Sequence, residues 1–156
     1  MKKLLKYAAV LTLVLIPATL LLAQQEVVPT ADSNIINSAF ECVILATAST
    51  NATLCKNGPG NIYGFEAYNA TQTIYYLRFY NLAAAPTCSA ANGFIRSVPI
   101  PPAQTAAGGS LVGGVSRTYG IPVSYSTGIG FCITGGAAST DNTNAAVGVY
   151  GAIDYK

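Results

Sequence analysis

NIYGFEAYNATQTIYYLRFYNL, residues 61–82, decides how the chain reads. Two β-rich runs flank the polar break Asn69-Ala70-Thr71-Gln72, a pattern that predicts a β-hairpin. Tyr63, Phe65 and Ala67 are apolar at odd positions, and so are Tyr75, Leu77 and Phe79. Side chains alternate faces with period two, so a hairpin that unites the odd sets places Ala67 opposite Tyr75, Phe65 opposite Leu77 and Tyr63 opposite Phe79. The other face then carries Glu66 diagonal to Arg78, together with Tyr68, Tyr76 and Tyr80. One face is expected to be core. The other, Glu66, Tyr68, Tyr76, Arg78 and Tyr80, is the candidate contact surface, because tyrosine joins a large apolar ring to a polar tip.

Outward from this stretch the pattern stays β. Residues 39–49 (AFECVILATAS) are apolar enough for a largely buried first strand, and 50–60 (TNATLCKNGPG) read as a loop of turn formers. After a small-residue loop at 83–92, residues 93–100 (GFIRSVPI) alternate as a strand that Pro99, Pro101 and Pro102 end or confine to an edge. Residues 103–114 look flexible and nearly featureless, and 115–125 form a strand broken by Gly120 and Pro122. In 127–136 (TGIGFCITGG), Ile129, Phe131 and Ile133 share one face. Gly130, Cys132 and Thr134 share the other, where glycine admits close approach of another sheet or chain. The polar loop 137–144 (AASTDNTN) fits a turn built on side-chain-to-backbone bonds better than a calcium loop. The last strand, 146–155, alternates Val147, Val149, Gly151, Ile153 and Tyr155. Seven strands separated by turn signals predict an all-β domain over 38–156, a single antiparallel β-sandwich of jelly-roll or immunoglobulin-like type. Asn51 and Asn69 each head an Asn-Ala-Thr sequon, read as chance matches that hint only at surface loops.

The N-terminus has a different character. Met1-Lys2-Lys3 is followed by an uncharged, mostly apolar run over 7–23 and by Gln24-Gln25-Glu26, the layout of a secretory signal. The competing reading of residues 1–23 is an uncleaved hydrophobic anchor helix, slightly short for a bilayer core. Residues 24–37, with Pro29, read as an extended arm or linker. The expected location is secreted, periplasmic or at the cell surface if the leader is a signal, and otherwise membrane-anchored or in a virion. Four cysteines, Cys42, Cys55, Cys88 and Cys132, suit two disulfides in an exported chain. Of three possible pairings, Cys42–Cys55 with Cys88–Cys132 is preferred. With no histidine and no C-x-x-C, the cysteines do not suit zinc.

Composition excludes several classes. Only 9% of the 156 residues are charged, and beyond Lys2, Lys3 and Lys6 five basic side chains face six acidic ones, which does not suit nucleic acid. The absence of histidine removes the usual Ser and Cys triads, and Asp141 and Asp154 show no spacing of a catalytic pair. Gly128-Ile129-Gly130 is no dinucleotide fingerprint, lacking a third glycine and a following helix. The expectation is a protein that is not an enzyme, with no catalytic residues, no cofactor and no metal.

GNIYGFEAYNATQTIYYLRFYN, the following Ala85-Pro86-Thr87, FIRSVPIPP and the closing STGIGFCITGGAASTDNTNAAVGVYGAIDYK together resemble a family of small β-rich proteins from tailed phages and prophages. The resemblance spans about residues 57–156 and implies a virion-associated structural or decoration protein with no catalytic residues to carry over. The leader departs from that pattern and implies a membrane-associated virion component or a host-encoded descendant acting outside the cell. The expected partners are the chain itself or capsid proteins. The alternative is a secreted or tethered binding module for carbohydrate or a cell-surface partner.

Overall fold

Alternating apolar positions build ten strands in the computed structural model, which describes residues 39–106, 109–111 and 113–156. They are β1 (Phe40–Leu45), β2 (Thr53–Asn57), β3 (Gly60–Asn69), β4 (Tyr75–Tyr80), β5 (Phe94–Ile100), β6 (Gln104–Ala106), β7 (Gly109–Leu111), β8 (Gly113–Tyr125), β9 (Gly128–Thr134) and β10 (Val149–Tyr155). Two four-stranded antiparallel sheets result: β1-β10-β3-β8, here sheet A, and β2-β9-β4-β5, sheet B. β6 and β7 form a separate two-stranded ribbon. The described residues contain no helix, and none that could cross a membrane. The expected leader at 1–23, its hydrophobic helix and the arm at 24–37 lie outside the described residues.

The hairpin expected over residues 61–82 does not form. β3 lies between β10 and β8 in sheet A, so neither of its edges is free for β4, which joins β9 and β5 in sheet B. Residues 70–74 therefore cross between sheets as an arch. The expected pairs Ala67–Tyr75, Phe65–Leu77 and Tyr63–Phe79 are replaced by packing across the interior, where the Phe65 and Phe79 ring centroids stand 5.3 Å apart. Parity survives because a hairpin and an arch both turn the odd residues inward. Phe65, Ala67, Tyr75, Leu77 and Phe79 all belong to the core. Tyr63 does not: a bulge between Ile62 and Gly64 gives Ile62 the inward position and leaves Tyr63 half-buried.

Asn69 secures the arch and is fully buried, against the surface-loop hint of its sequon. Its amide nitrogen donates to the carbonyls of Thr73 (2.8 Å) and Ile100 (3.2 Å), and its amide oxygen accepts from the Thr71 N–H at 2.9 Å. The crossing itself is largely exposed, but the Asn69 amide is buried, and a buried amide needs such partners because unpaired polar groups are costly to bury.

Four other segments depart from expectation. The turn-rich 50–60 segment contains β2, and the segment 103–114 contains β6, β7 and the start of β8. β8 runs unbroken through Gly120 and Pro122, because residues 119–122 bulge away from β3 between the pairs Gly64–Thr118 and Ile62–Val123, so the proline removes no ladder bond. Val147, expected within the last strand in alternation with Val149, precedes β10 and is exposed. β5, which contains Pro99 and is followed by Pro101 and Pro102, is an edge strand, in keeping with its sequence.

Both disulfides join the preferred partners, Cys42–Cys55 with Cα atoms 5.5 Å apart and Cys88–Cys132 at 6.0 Å. Cys42–Cys55 ties β1 to β2, one strand from each sheet, and Cys88–Cys132 ties the 81–93 loop to β9. Two such bridges suit an oxidising environment. The 44-residue separation of Cys88 and Cys132 corresponds to about 4 kcal/mol of denatured-chain entropy, against about 3 kcal/mol for the 13-residue separation of the other pair. Replacing Cys88 and Cys132 together by serine should therefore lower the urea midpoint more than replacing Cys42 and Cys55, and equilibrium unfolding of the two double variants measures the difference.

Candidate functional site

The two sheets differ in what covers their outer faces. On sheet B, the even residues of β4 and β9 point away from the main core, but loops lie over them. Tyr80, Cys88 and Cys132 make a second buried cluster with Leu82 and Phe94 packed against it. Pro86 stands where the glycine face of β9 was expected to admit another sheet or chain, its Cδ 3.0 Å from the position a Cβ on Gly130 would take. The chain's own loop fills that space.

Arg78 holds this cover down. Its side chain is fully buried and hydrogen-bonds three backbone carbonyls: Cys88 at 2.7 Å, Asp141 at 2.5 Å and Ala138. Its guanidinium also lies 5.9 Å from the centre of the Tyr80 ring. The Asp141 carboxylate shapes the second loop, accepting from the N–H groups of Gly136 (3.1 Å) and Thr143 (3.0 Å), which is the side-chain-to-backbone turn its sequence suggests. Arg78 and Tyr80 are thus not the contact surface that the sequence suggested. Loops 10 and 60 residues away from Arg78 cover them, and strand alternation alone carries no sign of that. Tyr76 is half-buried on this same sheet, and Glu66 and Tyr68 lie on the other.

Sheet A has an open outer face, and its register arranges the side chains in three cross-strand rows. The first row is Leu45, Tyr150, Tyr68 and Gly114; the second is Val43, Ala152, Glu66 and Ser116; the third is Glu41, Asp154, Gly64 and Thr118. Leu45 and Val43 are 69% and 62% exposed, and Tyr150 and Tyr68 41% and 37%, so these large side chains lie together on one exposed face. The Tyr68 and Tyr150 rings lie 5.6 Å apart, and the missing side chain of Gly114 leaves room for the Tyr68 ring. Tyr68 donates its hydroxyl to Glu66 at 3.1 Å, and that bond, with the Glu66 charge, raises the Tyr68 pKa.

Beside the aromatic row is a shallow depression of about 320 Å³ lined by Glu41, Glu66, Asp154, Ser116 and Thr118, among others. A side chain at Gly64 would crowd the neighbouring strand, since a Cβ there would stand 2.9 Å from the Arg117 carbonyl oxygen. This face can bind by apolar contact and hydrogen bonding. Among the described residues no group of three His, Cys, Asp or Glu side chains could hold a metal ion. Sequence reasoning found Glu66 and Tyr68 but missed Tyr150, Val43, Leu45, Glu41 and Asp154. The alternation of β10 and β1 carried the signal, yet the apolar 39–49 run was read as largely buried.

At the opposite edge of the sheets, Arg96 from β5 closes the gap to β8. Its guanidinium lies 5.1 Å from the Tyr119 ring centre and 5.2 Å from that of Phe79, and it donates to the Tyr119 hydroxyl. The Tyr125 hydroxyl is buried without a hydrogen-bond partner among the described residues, and burial pushes its pKa up to about 12.

Two predictions arise from these buried groups. Arg78→Met keeps the bulk of the stem but strands three carbonyls, so it should cost roughly 3 kcal/mol or more and hasten proteolysis within residues 83–92 and 137–145, read by unfolding and by cleavage mapping. For Tyr125, the folded pKa of about 12 exceeds the ordinary 10.0, so the unfolded chain releases its proton first as pH rises. The associated stability is complete below pH ~10 and lost as pH passes through ~12, a decline of about 2–3 kcal/mol. Urea midpoints compared between pH 9 and 12 should show it, and Tyr125→Phe should flatten it.

Comparison with protein-family models, with curated proteins and with solved structures finds no match to this chain.

Proposed function

We propose that this chain is a non-enzymatic, phage-type structural or surface-decoration protein, exported or membrane-tethered, with a jelly-roll or immunoglobulin-like β-sandwich that works by protein–protein association. The observation that carries the reading is the contrast between the faces. Loops close sheet B, whereas sheet A displays Val43, Leu45, Tyr68 and Tyr150 together on one open surface. Tyrosine rings with aliphatic neighbours and a polar margin are the composition of association surfaces. The two disulfides favour action outside a reducing compartment. The resemblance over residues 57–156 supplies the partner class, capsid or virion proteins.

Purified particles from the producing strain should contain the polypeptide by mass spectrometry, and Tyr68→Ser with Tyr150→Ser should lower its occupancy at least tenfold without changing the melting temperature. Particles lacking the polypeptide altogether would sink the reading. A carbohydrate-binding role is the second reading, favoured by the adjacent Tyr68 and Tyr150 rings beside the Glu66 carboxylate. Glycan-array signal above background, abolished by Tyr150→Ser, would favour it over the first.

A further inference from the structure

The four sheet edges are not alike. An edge strand exposes unpaired backbone N–H and C=O groups, and folded proteins protect such edges with proline, bulges, short length or charged side chains. β5 carries Pro99 and Arg96. β2 is five residues long, bulged between Leu54 and Lys56, and bears that lysine. β8 carries Arg117 and Pro122 and bulges over residues 119–122. β1, FECVIL, has no proline and no basic residue, and it pairs with β10 over all six residues without a shift.

No described strand pairs with the other side of β1. Three of its side chains, Phe40, Val43 and Leu45, are apolar and more than half exposed. The strand is also held in place, since the Cys42–Cys55 bridge ties it to β2 of the opposite sheet. Glu41 is the one charged side chain on β1, and a rigid, largely apolar edge without a bulge or proline is a template for another strand.

We infer that β1 is the pairing edge of a two-fold homodimer, in which β1 of one copy adds antiparallel to β1 of a second and joins the two A sheets into one of eight strands. This goes beyond the proposed function, because it concerns the edge of sheet A and not its face. Charge fixes the register. A dyad at Glu41 would oppose two carboxylates, which is unfavourable. A dyad at Val43 sets Val43 against its mate, Glu41 against Leu45, Cys42 against Ile44 and the exposed Phe40 against Ala46. It pairs the whole strand, keeps inward residues opposite inward ones, and separates the two Glu41 carboxylates.

Sedimentation equilibrium or light scattering on the purified protein should give twice the chain mass. Val43→Lys, at a position open to solvent, should raise the dissociation constant at least tenfold while leaving the circular dichroism spectrum of the folded chain unchanged. Val43→Cys should link two copies through the introduced thiols under mild oxidation, far faster than Glu41→Cys. Tyr150→Ser, on the face but away from the edge, should leave the mass unchanged. A monomeric wild type, a dimer indifferent to Val43→Lys, or equal cross-linking at the two positions would overturn the inference. A monomer overturns it equally if residues before 39 occupy the edge. Particle association that depends on Tyr150 in a monomeric protein would overturn the dimer and leave the proposed function standing.

Discussion

A buried guanidinium without a buried carboxylate beside it sets the character of this molecule. Moving a charge out of water is expensive unless other groups replace its hydration. Arg78 finds that replacement in three backbone carbonyls, none from its own strand. The requirement runs both ways. Residues 88, 138 and 141 must approach β4 for the arginine to be solvated, and the arginine keeps their carbonyls paired once they are under cover. Carbonyl oxygens ask for no compensating charge, which suits a chain so poor in carboxylates. The closed state of sheet B follows from this, and with it the asymmetry that leaves sheet A to meet the outside.

Covalent bonds reinforce the same division. Cys88–Cys132 secures the loop whose Cys88 carbonyl accepts a hydrogen bond from Arg78, so bridge and hydrogen bond act on one residue. Cys42–Cys55 joins the two sheets along the edge formed by β1 and β2, and Arg96 with Tyr119 closes the gap between β5 and β8 on the far side. Arg96 packs over aromatic faces, where a weakly hydrated planar cation is well accommodated. Two of the arginines are therefore structural parts, and the third, Arg117, shares the lining of the depression beside sheet A with the carboxylates of Glu41, Glu66 and Asp154.

Much of this was legible in the sequence, and the parts that were not share a cause. Period-two alternation identified Phe65, Ala67, Leu77 and Phe79 as core, and the prolines marked β5 as an edge, because both are local properties. The hairpin failed because parity states which side chains face inward and is silent on whether the strands pair or face one another. That choice lay with β10 and β8, which are distant in sequence and flank β3. Arg78 read as solvent-facing for a similar reason. A charge on alternating strand positions signals water unless a remote loop descends on it, and no residue near Arg78 records that loop. Tyr68 and Glu66 were found on a face that is open, while Tyr150 and Leu45 in the same row went unnoticed because the row spans three strands far apart in the chain.

In the proposed dimer, edge and face would act together. Residues directly opposite in an antiparallel pair point to the same side, so joining two A sheets through β1 places both Leu45–Tyr150–Tyr68 rows on one side of the eight-stranded sheet. The dyad makes the rows antiparallel, and the apolar residues Val43 and Leu45 of each copy sit at the seam between them. A partner surface with repeated sites could then engage both copies at once, and the second contact would form at an effective concentration far above that of free protein. Weak binding through two tyrosines and a few aliphatic side chains is a poor basis for holding a monomer on a surface, but doubling it without adding charge changes that balance. Strand twist, about −20 to −25° per neighbour, bends the joined sheet into a saddle, so the two rows fit a curved, repetitive surface better than a flat one.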